Sequence, residues 1–394
     1  MEEWKEYRLG DFVAFKTGKL NSNAAVENGS YPFFTCSPET LRINDYAFDQ
    51  KAILLAGNNA EGNFNIKYYE GKFNAYQRTY VINPLDDRLD IRFLYYALSV
   101  CLQSFKRISQ GTSTKFLTAQ ILNNFILNIP SLPTQQKIAN ILSSLDDKIE
   151  VNRRINDNLE QQAQALYKQW FVDFEFPNEE GNPYKSSGGK MIKSEMGEIP
   201  EKWHVGALKD IANVIMGQSP NGKSFNENGE GIVFYQGRTE FGSRYPSIRL
   251  YTTEPTRFAE PMSVLLSVRA PVGDINIATQ RCCIGRGVAS IDSKTGDNSY
   301  MYCCLKELRP QLDQYNGEGT VFGSINRKEL EGLPLCIPNA KVIHEFNNLI
   351  TGIEKQMFNL YQECSNLTTL RDTLLPRLMS GELSVNDVST DLVC

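Results

Sequence analysis

Residues 132–174 read LPTQQKIANILSSLDDKIEVNRRINDNLEQQAQALYKQWFVDF, and this stretch decides the architecture. Ile138, Leu145, Asn152, Leu159 and Leu166 recur every seven residues, each followed four residues on by Leu142, Ile149, Asn156, Ala163 and Trp170. That is the a/d pattern of a helix that buries one seam against a partner helix. Pro133 and Thr134 suit its first turn, because proline needs no amide donor there and a threonine hydroxyl can cap free N–H groups. About 38 residues at 1.5 Å each span roughly 57 Å, far more than an ordinary globular helix. The pattern returns at Phe346, Ile353, Leu360, Leu367 and Leu374, with Ile350, Met357, Cys364, Arg371 and Leu378, at an offset of 208 throughout. Each seam needs an apolar partner, and the other copy supplies it. Internal two-fold symmetry runs the pair antiparallel and puts one globule at each end. Asn152 and Asn156 interrupt the first seam where the second has Leu360 and Cys364. They read either as a register or partner-docking device, or as a solvent-exposed stretch near a helix crossing.

The segments before the helices also repeat. Trp4, Leu9, Asp11 and Gly18 return as Trp203, Leu208, Asp210 and Gly217 at an offset of 199. Leu54, Leu55, Gly62, Asn65 and Ile66 match Leu265, Leu266, Gly273, Asn276 and Ile277 at 211. Arg78 matches Arg286, Gly111-Thr112 matches Gly319-Thr320, and Ile129-Pro130 matches Ile337-Pro338, all at 208. Short apolar runs such as Tyr31 to Thr35, Ala52 to Ala56 and Thr79 to Ile82, bounded by Gly, Asn and Asp, predict strands, with a helix over Ile91 to Leu102. The expected fold is therefore α+β: two similar mixed α/β domains joined by two long helices packed as an antiparallel coiled coil, with a pseudo-two-fold internal repeat. The divisions fall at 1–130 (first domain), 131–174 (first helix), 175–199 (linker), 200–338 (second domain) and 339–394 (second helix and tail). The linker, with Pro177, Gly181, Pro183, Ser186, Ser187, Gly188 and Gly189, reads as a surface excursion.

The 394 residues suffice for two or three cores, and no apolar run reaches membrane-spanning length. Met1-Glu2-Glu3-Trp4-Lys5 is the wrong start for export, and nine cysteines without a CxxC suit a reduced, cytoplasmic chain. The net charge of −5 is unevenly placed. Residues 1–128 carry about 14 basic and 13 acidic side chains and 200–338 about 15 of each, while the helical segments are each near −3. The globules are thus close to neutral and free to carry a basic face. Catalytic signatures are missing. Asn83-Pro84-Leu85 and Asn182-Pro183-Tyr184 lack the second proline of an adenine methyltransferase tetrad, and Gly222-Lys223-Ser224 lacks a P-loop's leading glycine. His204 and His344 have no partner cluster in sequence, so no metal or catalytic residue is expected.

These residues resemble the specificity subunits of type I restriction-modification systems. The resemblance is carried by DDKIEVNRRINDNLEQQAQALYKQWFVDF (146–174), YPFFTC (31–36), GKFNAYQRTYVI (71–82), MGQSP (216–220), YQGRTEFG (235–242), RAPVGDINIAT (269–279) and CCIGRGVASI (282–291), in the family's order over nearly the whole chain. It implies two target-recognition domains, each reading half of a split double-stranded DNA site, with the helices as spacer. It implies two modification subunits docked along the helices, methylating one adenine per half, and ATP-driven restriction subunits that translocate and cut. S-adenosylmethionine, ATP and Mg then belong to those partners and no cofactor to this chain. Leu145, Ile149, Asn152, Asn156, Leu159, Ile353, Met357, Leu360 and Leu367 are the expected seam and docking positions.

Residues shared by the copies cannot encode a difference between half-sites, so base readers belong where the copies diverge. From Gly18 to Leu54 is 36 residues, and from Gly217 to Leu265 is 48. The extra length holds Arg238, Arg244, Arg249 and Arg257 among aromatic residues, and arginine grips guanine O6 and N7 with two bonds. Gln218 is a further candidate. In the first domain Asn58, Asn59, Asn63, Lys67, Tyr76 and Gln77 are the candidates at bases, because amides suit adenine N6 and N7, or the asparagines simply make turns. Lys115 in QGTSTK is expected at a phosphate, and Thr112, with Thr320 in the repeat, at a phosphate or in a hydrogen bond that holds the fold. Two other readings compete: a coiled-coil scaffold without a DNA role, and a stand-alone DNA methyltransferase or nuclease.

Overall fold

The computed structural model describes residues 4–317 and 323–387. The chain divides into two compact units, Met1–Arg153 with Tyr361–Cys394, and Arg154–Leu360. Each contains one globule and a segment of each long helix.

In the first unit the run AILLA closes the strand Phe48–Ala56, and its last five residues are all buried. Such a run has both faces covered. Ile53 and Leu55 join a cluster with Phe93, Leu94, Leu98 and Phe105, whereas Ala52 and Leu54 meet Phe34, Phe73 and Val81. The strand is central in a six-stranded sheet ordered Val13–Thr17, Thr79–Pro84, Phe48–Ala56, Ile66–Ala75, Tyr31–Phe34, Leu41–Ile43. All its neighbours pair antiparallel except Tyr31–Phe34, which runs parallel to the end of Ile66–Ala75. The helix Ile91–Val100 is capped by Asp90, whose carboxylate accepts the Phe93 amide at 2.8 Å. Ile138, Leu142 and Leu145 of the first long helix, and Leu374 and Leu378 of the second, complete the same core. Buried Gln135 fixes where the helix leaves the globule: it accepts the Asp90 amide at 2.9 Å and donates to the Pro130 and Arg88 carbonyls.

The second unit repeats this path. Its four-stranded sheet runs Ala212–Met216, Val288–Ser293, Val264–Ser267, Ile275–Ile277, and a five-stranded sheet holds Ile232–Tyr235 parallel to Cys282–Ile284. The long strand of the first globule is thus broken in two, and the sheet with it.

The first long helix covers Leu132–Tyr167 and continues as a π turn over Lys168–Val172; the second covers Ala340–Met379. In the first unit Asn152 bonds Glu363 at 2.8 Å and Asp146 bonds Arg371 at 2.7 Å, so these segments run antiparallel. In the second unit Tyr167, Trp170 and Phe171 close around Phe346, while Glu160 and Glu354 share Arg244, again antiparallel. Leu145, Ile149, Asn152 and Met357 are buried, and Asn156, Leu159, Ile353, Leu360 and Leu367 are half-buried. A solvent-exposed reading of Asn152 therefore does not hold. Its amide donates to Glu363 within the seam, and its Oδ1 has no partner among the described residues.

The 175–199 stretch is more structured than a linker of its composition suggests. Met191–Ser194 and Gly197–Pro200 form a hairpin, and buried Phe176 stacks on Tyr184 and Trp203. Aromatic residues among the glycines and prolines dock it on its own unit.

Candidate nucleic-acid interface

The first globule gathers its polar candidates on one rim of the sheet. Gly57 donates to the Arg78 carbonyl at 2.8 Å, where Phe48–Ala56 meets Thr79–Pro84. Asn58 and Asn59 pair with Phe116 and Lys115. Asn59 Oδ1 accepts the Glu61 and Asn63 amides at 2.9 and 3.0 Å, folding the loop back, and Lys106 Nζ donates to Asn63 Oδ1 at 2.6 Å. Asn65 donates to the Cys36 carbonyl at 2.6 Å, and the Arg78 guanidinium lies over the Phe116 ring. Lys67 donates to Thr40 at 2.9 Å above the Phe34 ring, and burial pulls its pKa down. Tyr76 is half-buried, and exposed Gln77 donates to Asn21 at 2.7 Å. Thr112 is exposed beside Gly111, whose φ of +105° demands glycine. The rim therefore brings together Asn58, Asn59, Asn63, Lys67, Tyr76, Gln77 and Lys115, adding Arg78 and Lys106. Asn63 and Asn59 make turns first, as their type allows.

The second globule builds the equivalent rim differently. Val268 donates to the Gly287 carbonyl at 2.9 Å, Arg269 pairs with Ser324, and Ile325 donates to Val268. A cavity of about 560 Å³ opens there, lined by Arg238, Arg269, Arg286, Gln236, Ser219 and Thr239 among others, with no acidic side chain among the described residues. A neighbouring cavity of about 350 Å³ shares Arg238 and adds Lys306, Arg309 and Asp274.

The insertion does not hold its arginines as expected. Phe33 and Leu41 pair across an eight-residue separation, Phe234 and Leu250 across sixteen, so most of the extra length is one longer hairpin connection. Arg244, expected at a base, is buried: it bonds Glu160 and Glu354 and lies 4.0 Å from the centre of the Tyr302 ring. The physical reason is charge. Two carboxylates on apolar helix faces need a cation, and only guanidinium serves both. Arg249 bonds Glu240 at 2.6 Å, and Arg238 bonds Asp274, which also holds Arg309. Arg257 is exposed without a side-chain partner among the described residues, and Gln218 is exposed with its carbonyl bonded to Thr256. Thr320 lies outside the described residues.

Strand register corrects three of the sequence matches, Arg78/Arg286, Asn65/Asn276 and Ile66/Ile277. Phe34 pairs with Ala75 and accepts the Tyr76 amide; Tyr235 pairs with Ile284 and accepts the Gly285 amide. Gly285 therefore stands where Tyr76 does, Arg286 where Gln77 does, and Gly287 where Arg78 does. Likewise Ile53 pairs with Tyr68 and Val264 with Ile277, so Asn276 stands at the Lys67 position and Asp274 at that of Asn65. The apparent identities Arg78/Arg286 and Asn65/Asn276 are out of register by one and two residues. Reading by residue type alone missed Arg269 and Arg286; the signal was the alternation of paired strands, which fixes register.

A family model described as the type I restriction modification DNA specificity domain matches residues 1–161 and again 200–358. The chain belongs to this family. Its two matches cover both globules and the start of each long helix, in agreement with the duplication. The specificity chain is 28% identical to the type I restriction enzyme EcoDI specificity subunit of Escherichia coli, over 97% of this chain and 89% of that one. It is 24% identical to the HindI specificity subunit of Haemophilus influenzae, over 97% of this chain and all of the other. A crystal structure of a type I restriction-modification S subunit from M. genitalium shares the fold, with a TM-score of 0.60 at 18% identity over 96% of both chains. Among the described residues no helix is long and apolar enough to cross a membrane.

Proposed function

We propose that each globule of this specificity subunit reads one half of a bipartite DNA site with the rim described above. The long helices set the spacing and dock the modification subunits. The observation that supports this most is the duplication of one rim, with side chains changed and backbone pairing kept. Direct readout needs donors and acceptors held on a rigid frame, and both rims provide them beside sheet ends. The working division remains 1–130 and 200–338 for the two recognition domains, 131–174 and 339–394 for the helices, and 175–199 between them. Methyl transfer with S-adenosylmethionine, and cutting with ATP and Mg, are assigned to cytoplasmic partner subunits. The chain itself supplies recognition. Mobility shift of mixed-sequence duplex DNA, with the chain alone and assembled with its modification subunit, tests the reading. A complex that retains DNA with a steep salt dependence supports it. Loss of binding under all conditions, with the helices still assembled, would leave the scaffold reading.

A further inference from the structure

The rims differ most where the backbone differs least. Asn58 pairs with Phe116, and Arg269 pairs with Ser324 at the same place in the repeat. Leu117 donates to the Gly57 carbonyl as Ile325 donates to that of Val268, which fixes the equivalence from the other side. Gln77 and Arg286 are equivalent by the register of the neighbouring strand. The first domain thus places two amides where the second places two guanidiniums.

Chemistry separates the two sets. Asn58 and Gln77 do not present a free amide pair: Asn58 Oδ1 is buried without a partner among the described residues, and Gln77 Nε2 donates to Asn21 at 2.7 Å. Arginine offers only donors, the complement of guanine O6 and N7. Among the described residues, Arg269 and Arg286 are exposed, line one cavity whose lining carries no carboxylate, and have no side-chain partner. Arg238, beside them, is held by Asp274, and the insertion's Arg244 and Arg249 are held by glutamates. Free guanidiniums in a concave site are available to a ligand; paired ones are not.

We propose that Arg269 with Arg286, standing where the first domain has Asn58 with Gln77, are the positions that make the two half-sites different, the arginines selecting guanine. The inference rests on the proposed reading that each rim faces half of a DNA site. Phosphate contacts are the alternative use of such arginines, and they act without regard to sequence.

The test is selection from a randomised duplex library by the chain assembled with its modification subunit, with the retained duplexes sequenced. The wild type is expected to retain a split motif. R269N/R286Q is expected to lose guanine preference in one half by roughly 5- to 150-fold per base while keeping the other half. N58R/Q77R changes the opposite half. All four residues are at least partly exposed, and an unchanged unfolding midpoint checks folding. An unchanged motif with uniformly weaker retention means phosphate contacts and overturns the proposal, as does an unchanged motif with unchanged retention. A wild type that retains no split motif would instead overturn the half-site reading itself.

Discussion

Both globules are tied to both long helices through an acid at the same place in the repeat, Asp146 in one unit and Glu354 in the other, yet the cation arrives from different elements. Asp146 accepts the Tyr96 hydroxyl at 2.6 Å and Arg371 at 2.7 Å, so the second long helix brings the charge. Glu354 accepts Ser299 and Arg244, so the lengthened hairpin brings it. The seam residue equivalent to Arg371 is Ala163, which carries no charge. The arginine-bearing insertion thus supplies to the second unit what Arg371 supplies to the first. An insertion rich in arginine near the proposed rim invites a functional reading, and here part of it serves packing. On the proposal above, recognition varies instead at fixed backbone positions.

The depth of the two ties differs, and that difference can be broken experimentally. The Arg244 side chain is 9% exposed and that of Arg371 is 27% exposed. Arg244→Ala leaves Glu354 and Glu160 without their shared partner, so a loss of about 3–5 kcal/mol is expected in urea unfolding. Arg371→Ala should cost only about 1 kcal/mol, because water reaches both members of that pair. Equal costs would show that burial is not what distinguishes the ties. Asn152→Leu should raise stability by about 1 kcal/mol, since the amide's Oδ1 is buried and unpaired; a fall would assign the Asn152–Glu363 bond a larger share of the seam than its exposure suggests. Arg92→Ala should change stability by less than about 0.5 kcal/mol, because its 3.3 Å bridge to Asp147 is a surface one.

A pH series sharpens the same comparison. Burial raises the Glu160 carboxyl, but Arg244 and Lys306 together outweigh it and hold it below the ordinary carboxylate range. Its contribution is complete above that range and is lost as pH falls through the depressed pKa. Burial dominates at Glu354 and holds it above the range, so its contribution has the opposite sign and fades as pH rises. Lowering the pH from about 7 to about 4 should narrow the gap between wild type and E160Q and move the gap to E354Q in favour of wild type. Parallel curves for both variants would contradict this asymmetry.

The helical seam was legible because its signal is local: Ile138, Leu142, Leu145 and Ile149 repeat within a few turns, and all four are buried. The strands were legible for the same reason. The partner of Arg244 was not, since Glu160 and Glu354 lie 84 and 110 residues away and a charged side chain in sequence names no partner. The equivalence of Arg286 with Gln77 was hidden by a one-residue shift that only strand pairing reveals. Asn58, Gln77 and Lys115 were singled out by residue type, and the sheet brings them to one rim.

The most direct test is methylation mapping by single-molecule sequencing in a methylation-free host carrying this chain with its neighbouring modification subunit. Two domains reading two half-sites predict a split motif, with methyl-adenine on opposite strands of two short halves of different sequence. Methylation at one continuous motif, or at two identical halves, would contradict it.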